Sequence, residues 1–97
     1  MTEAGDEQRD YADEGDLRGL VDLLCRSLVD EPDAVEVEEV DEEGDLVFEV
    51  RVEGGDLGRL IGRGGKVAGA IRTIVKAAAR SGGGDGGRRV LVEFVED

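Results

Sequence analysis

Apolar residues recur along the chain at two different spacings. From position 17 to 28, Leu17, Leu20, Val21, Leu24 and Leu28 fall at i, i+3, i+4, i+7 and i+11. That is one stripe of an amphipathic helix, with Asp16 placed to cap its start and Pro32 to end it. The spacing then changes to two. Val35 and Val37 alternate with Glu36 and Glu38, and Leu46, Phe48, Val50 and Val52 alternate with Val47, Glu49 and Arg51. These read as two strands joined through a turn at Asp41-Glu42-Glu43-Gly44-Asp45, an antiparallel hairpin. Gly54-Gly55 ends it, and Asp56 can cap a short helix over Leu57–Ile61. A longer helix is predicted from about Lys66 to Arg80, apolar at Val67, Ala70, Ile71, Ile74 and Ala78 and basic towards the other side. Ser81 to Gly87 is a glycine-rich loop. Val90, Val92 and Phe94 alternate with Leu91, Glu93 and Val95 as a third strand.

The predicted order is α-β-β-α-α-β. Three strands form no stable sheet alone, so three helices covering one face give a two-layer α+β domain over residues 17–97. Residues 1–16 have almost no apolar content and many acids, and read as a flexible acidic tail. Its simplest role is solubility; the alternative is a mimic of nucleic acid competing for a basic surface.

Ninety-seven residues suit one domain. The chain has no histidine and one cysteine, Cys25, on the flank of the first helical stripe. With no second cysteine, Cys25 is expected to be a small buried hydrophobe rather than a nucleophile or metal ligand. A lone thiol, no apolar run of membrane-spanning length and an acidic start point to a cytoplasmic protein with no membrane association. Catalysis is not expected: the carboxylates occur in runs such as Glu36-Val37-Glu38-Glu39, which read as a solvated strand face. No cofactor is implied.

The net charge of −13 would repel nucleic acid if it were spread evenly. It is not. Residues 1–56 hold 21 acids and 4 bases. Residues 57–84 hold no acid and six bases: Arg59, Arg63, Lys66, Arg72, Lys76 and Arg80. Such a block is either the solvated face of one helix or a local electrostatic footprint.

The block contains Gly62-Arg63-Gly64-Gly65, placed where one helix ends at Ile61 and the next begins near Lys66. Glycines there permit a tight turn and close approach of another backbone. The free N–H groups of the new helix, with Arg63 and Lys66 beside them, suit a phosphate backbone. Other phosphate loops fit worse. A P-loop would need glycine at Leu60 and Ser or Thr at Val67. Gly82, Gly84 and Gly87 match a dinucleotide pattern but follow a helix and precede a strand, the reverse of what it requires.

Ile61-Gly62-Arg63-Gly64-Gly65-Lys66, followed by Ile71, resembles the KH signature, in which an Ile-Gly-x-x-Gly loop joins two helices and clamps about four nucleotides. The element order resembles the type II arrangement. Leu28-Val29-Asp30-Glu31-Pro32-Asp33, Asp56-Leu57-Gly58-Arg59-Leu60-Ile61-Gly62 and Ala70-Ile71-Arg72-Thr73-Ile74-Val75-Lys76-Ala77-Ala78 are similar to the small bacterial single-KH proteins of the KhpA type. The resemblance covers residues 17 to 95. It implies a three-stranded mixed sheet with three helices on one face. It also implies binding of short single-stranded RNA, a role as RNA chaperone or post-transcriptional regulator, and a link to cell length and envelope homeostasis. Partners implied are a second copy or a larger KH-containing protein of the KhpB, or Jag, type. On this reading the backbone from Gly62 to Gly65 holds phosphates, with Arg63, Lys66 and Arg59 as flanking charge. Ile61, Val67 and Ile71 are either an apolar platform for bases or simply core. The rival is a KH-fold interaction or dimerisation module with little RNA affinity, for which the third strand is a candidate open edge.

Overall fold

The computed structural model describes residues 14–82 and 87–96. The expected tail lies outside them up to residue 13, as does the middle of the 81–87 loop, including Gly84 of the dinucleotide pattern. Helix α1 spans Glu14–Arg26, β1 Glu36–Glu42, β2 Asp45–Val52, α2 Gly54–Ile61, α3 Lys66–Gly82 and β3 Val90–Glu96, with single 3-10 turns at Pro32–Ala34 and Arg63–Gly65. The order α-β-β-α-α-β is the expected one.

Strand β2 is central. It pairs antiparallel with β1, from Glu36↔Arg51 to Glu42↔Asp45, and parallel with β3, from Leu46↔Val90 to Val52↔Glu96. The sheet is therefore mixed. Alternation along β2 sends Leu46, Phe48, Val50 and Val52 into one core with Leu17, Val21 and Cys25 of α1, Leu60 of α2 and Ile71, Val75 and Ala79 of α3. Each β2 residue named is at most 1% exposed. All three helices pack on this one face. The opposite face carries a row of like charges, because the register sets Glu38 beside Glu49 and Glu49 beside Glu93.

The hairpin turn is tighter than the five residues anticipated. Pairing continues to Glu42↔Asp45, leaving Glu43 and Gly44 as a two-residue connection with φ of 55° and 90°. Positive φ at both central positions matches the right-handed twist of the strands.

Three boundaries depart from the periodic pattern. Helix α1 begins at Glu14, so Asp16 lies inside its first turn instead of capping it. It stops at Arg26, well before Pro32, leaving Leu28 outside the helix and 45% exposed. The end tightens through Leu28 N on Cys25 O (3.1 Å), and Arg26 fastens the connector there: its guanidinium donates to the carbonyls of Pro32 (2.6 Å) and Val35 (3.1 Å) while pairing with Asp22 (2.9 Å). Helix α2 begins at Gly54, ahead of Asp56. Asp56 does not cap it; its carboxylate accepts hydrogen bonds from the backbone N–H of Asp30 and Glu31 instead. Two glycines in a first turn are poor helix formers, and this tertiary anchor offsets them.

Candidate nucleic-acid interface

The junction of α2 and α3 is built on glycine geometry. Gly62 closes α2 with φ 75° and ψ 170°, a region that residues with a Cβ essentially never occupy, and its N–H donates to Gly58 O at 2.8 Å. A Cβ there would fall on Val67 Cγ2, with Val67 N also only 2.8 Å away. Gly62 is thus required twice, by backbone conformation and by the approach of Val67. Gly64 (φ 64°, ψ 19°) and Gly65 (φ 79°) are also left-handed. Space around Gly64 is open, with no atom within 4 Å of where its Cβ would stand.

The 3-10 turn Arg63–Gly65 uses the N–H of Gly65 on Gly62 O (3.1 Å) and that of Lys66 on Arg63 O. No acceptor is found among the described residues for the N–H groups of Arg63 and Gly64. Arg63 and Lys66 are exposed, and neither makes an ion pair among the described residues. Two free backbone donors, two free cations and the start of a 17-residue helix therefore meet at one exposed corner.

Arg59 stands one turn before this corner, but its charge is engaged. Nη2 reaches Asp30 at 2.8 Å and Nε reaches Asp56 at 3.1 Å. Asp56 is 3% exposed. Burial pushes its carboxyl up, but the N–H bonds from Asp30 and Glu31 and the Arg59 guanidinium outweigh burial and hold it below the usual carboxylate range. The Asp30–Arg59–Asp56 clamp ties α2 to the connector after α1. The i, i+3 spacing of Asp56 and Arg59 is legible in the sequence; Asp30, 29 residues from Arg59, joins only through the fold.

The three apolar candidates separate. Ile61 is 39% exposed, Val67 is half-buried, and Ile71, at 2% exposure, is core. Val67 and Ile71 contribute to an apolar groove of about 390 Å³ beside the glycine loop; Ile61 does not. Its remaining wall includes Leu24 of α1 and Leu28 just after it, together with Ile74. Leu24 and Leu28 belonged to a helical stripe expected to be buried; Leu24 reaches the groove from within α1 and Leu28 from the turn after its early end.

Positive charge continues along α3. Arg72 donates from Nε to Val92 O (3.1 Å) and lies over the Phe94 ring at 5.4 Å, so the edge strand β3 is capped at Val92. Phe48 is fully buried and Phe94 is half-buried beneath that guanidinium. Cys25 is fully buried, and burial, then the carboxylate of Asp22, pushes its thiol up to about 12. It is a core residue, as its position on the helical stripe suggested. No helix among the described residues is long and apolar enough to cross a membrane.

A three-stranded mixed sheet backed by three helices, with a Gly-x-x-Gly turn joining the second helix to the third, defines a KH domain in the type II order. More narrowly, the chain belongs to the KhpA/KhpB KH-domain family, whose model, described as "KhpA/KhpB, KH domain", matches residues 18–92. Among its relatives is the RNA-binding protein KhpA of Caldanaerobacter subterraneus subsp. tengcongensis, 43% identical over 76 residues that cover 78% of this chain and 96% of the relative. The RNA-binding protein KhpA of Clostridium perfringens is 40% identical, covering 81% of this chain and all of the relative. That of Mycobacterium bovis is 41% identical, covering 78% and 86%. No solved structure matches the chain at a comparable level of significance.

Proposed function

We propose that the chain binds short single-stranded RNA at the junction of α2 and α3, and that it acts as an RNA chaperone or post-transcriptional regulator. One observation carries this reading. In a chain of net charge −13, the N–H groups of Arg63 and Gly64 and the side chains of Arg63 and Lys66, none of them partnered among the described residues, converge on the same glycine turn. Phosphates take those donors, and Gly62, Gly64 and Gly65 let the strand approach closely. Arg59 adds background charge, reduced by Asp30 and Asp56. Bases rest on the apolar groove through Val67, with Ile61 flanking the loop and Ile71 supporting the groove from below. Phosphate contacts position a strand without reading its sequence, so binding is weak and loosely specific.

The relatives are RNA-binding proteins, which supports RNA binding by this chain. Self-association, or pairing with a larger KH-containing protein of the KhpB type, belongs to the same proposal, as does a link to envelope and cell-length control. The exposed apolar side chains Leu28 and Ile74, each 45% exposed, support a protein contact in addition to RNA.

The test is the double variant Arg63→Asp, Gly64→Asp, titrated with a short single-stranded RNA pool across a salt series. Wild type should show a log–log slope of about −2 to −3, from roughly −0.7 for each of three or four phosphates neutralised. The variant should lose binding while staying folded, because aspartate tolerates the left-handed conformation of Gly64 better than most residues. A folded variant that binds like wild type would show that the loop is not the site and favour the interaction-only reading.

A further inference from the structure

We infer that a second phosphate-binding station lies at the far end of α3, so that one RNA strand is held at both the glycine loop and this cleft. The inference rests on the RNA-binding reading above and extends its footprint. The station is a cleft of about 210 Å³ between the C-terminal half of α3 and the start of β3, lined by Lys76, Ala79, Arg80, Arg88, Arg89 and Val90. Every ionisable side chain lining it is a base. Asp41 and Asp45 offset two of these four cations, and an anionic ligand would offset the charge that Lys76 and Arg80 add.

The four cations fall into two pairs. Arg88 and Arg89 are oriented from the hairpin side: Arg88 Nη1 contacts Asp41 at 3.1 Å and Arg89 Nη2 contacts Asp45 at 2.9 Å. These contacts aim the guanidiniums and offset part of their charge, as Asp30 and Asp56 do for Arg59. Lys76 and Arg80 are exposed and make no ion pair among the described residues.

The cleft is joined to the glycine loop by a track. Arg72, Lys76 and Arg80 fall at i, i+4 and i+8, so they share one side of α3, and the bonds of Arg72 to β3 show that this side faces the edge strand. No acid interrupts residues 57–84. At 1.5 Å per residue, Arg80 lies about 21 Å along the helix from Lys66. A stacked single strand at about 3.4 Å per nucleotide covers that distance in roughly six nucleotides, and a more extended strand in fewer. Added to the roughly four nucleotides clamped at a KH loop, the footprint becomes about eight to ten.

The experiment compares single-stranded RNA pools four and ten nucleotides long across a salt series, on the full chain and on the double variant Lys76→Gln, Arg80→Gln. A ten-mer offers several registers to a four-nucleotide site and tightens apparent binding up to about sevenfold without new contacts, so the readout is the salt slope, which register counting does not change. For wild type, the ten-mer slope should be steeper than the four-mer slope by about 1.4 to 2, two or three further phosphates at roughly 0.7 each. The variant should bind the four-mer within about twofold of wild type and lose most of the added ten-mer slope. Equal slopes for the two lengths on wild type would overturn the second station while leaving the loop site intact, and need no variant. A folded variant with the wild-type ten-mer slope would also overturn it. Failure of wild type to bind either length would instead overturn the RNA-binding reading itself.

Discussion

Replacing Gly62 and Gly64 separately by alanine separates a glycine the fold requires from one that it merely favours. The two positions are two residues apart in the same loop, and both have positive φ. At Gly62 the backbone sits at φ 75°, ψ 170°, and an alanine held there costs about 1–3 kcal/mol in conformational strain. Its Cβ would also coincide with Val67 Cγ2, and forcing apart packed groups costs about 1–3 kcal/mol more. The sum, about 2–6 kcal/mol, is a large share of the roughly 4–12 kcal/mol expected for a domain of this size. At Gly64 the conformation is ordinary left-handed, φ 64° and ψ 19°, and the Cβ meets open space, so the cost is about 1–2 kcal/mol. In a domain of 60–100 residues each kcal/mol moves the melting temperature by roughly 4–8 °C. At the midpoints of these ranges the two differ by about 2.5 kcal/mol, so Gly62→Ala should melt about 10–20 °C below Gly64→Ala in calorimetry or circular dichroism. Adding Val67→Ala to Gly62→Ala removes the Cγ2 contact but leaves Val67 Cβ and N each 2.8 Å from the new Cβ, so it should recover only part of the loss. Equal melting temperatures for the two single variants would refute both the conformational and the steric reasoning.

Two further outcomes follow from buried groups. Asp56→Asn should destabilise the domain at neutral pH, because both carboxylate oxygens are occupied, Oδ1 by Asp30 N and Arg59 Nε and Oδ2 by Glu31 N, and an amide supplies only one acceptor. The folded-state carboxyl is held below its ordinary value, so its contribution is complete above the ordinary aspartate range and disappears as pH falls through the lower folded-state value. Urea midpoints of wild type and variant should thus converge on acidification; a gap that stays constant with pH would assign the loss to something other than the charge. Cys25, with its thiol pushed up to about 12, should resist thiol reagents at pH 8 in the native protein and react freely in denaturant. Equally fast labelling in both conditions would contradict its burial.

The element order and most of the core were legible because burial of one face imposes a period, and the period needs no knowledge of partners. Alternation in residues 46–52 identified the inward side of β2, and all four of its inward residues are in the core. The glycine loop was legible for a related reason. Gly62 and Gly65 mark backbone conformations that other residues avoid, and a block of residues free of acids shows in the linear charge pattern. What periodicity misjudged was where elements stop. Leu28 continues the stripe of α1, yet the helix ends at Arg26, where that side chain ties the returning connector through the carbonyls of Pro32 and Val35. Asp56 looked like a cap by position and is instead an acceptor for a segment 25 and 26 residues earlier.

The chain's own residues determine the order of elements, the inward faces, the turn at Gly62–Gly65 and the separation of positive from negative charge. These are local properties, set by side-chain shape, backbone freedom and charge along a few consecutive positions. Tertiary structure alone decides which charges remain available. Arg59, Arg63 and Lys66 are equivalent as letters in a basic block, yet Arg59 is held by Asp30 and Asp56 while Arg63 and Lys66 have no ionic partner among the described residues. Arg88 and Arg89 sit in a different segment from Lys76 and Arg80 and share a cleft with them only once β3 runs back beside α3. Electrostatic function depends on distance and solvent exposure, and both are fixed by the packing of segments far apart in the chain.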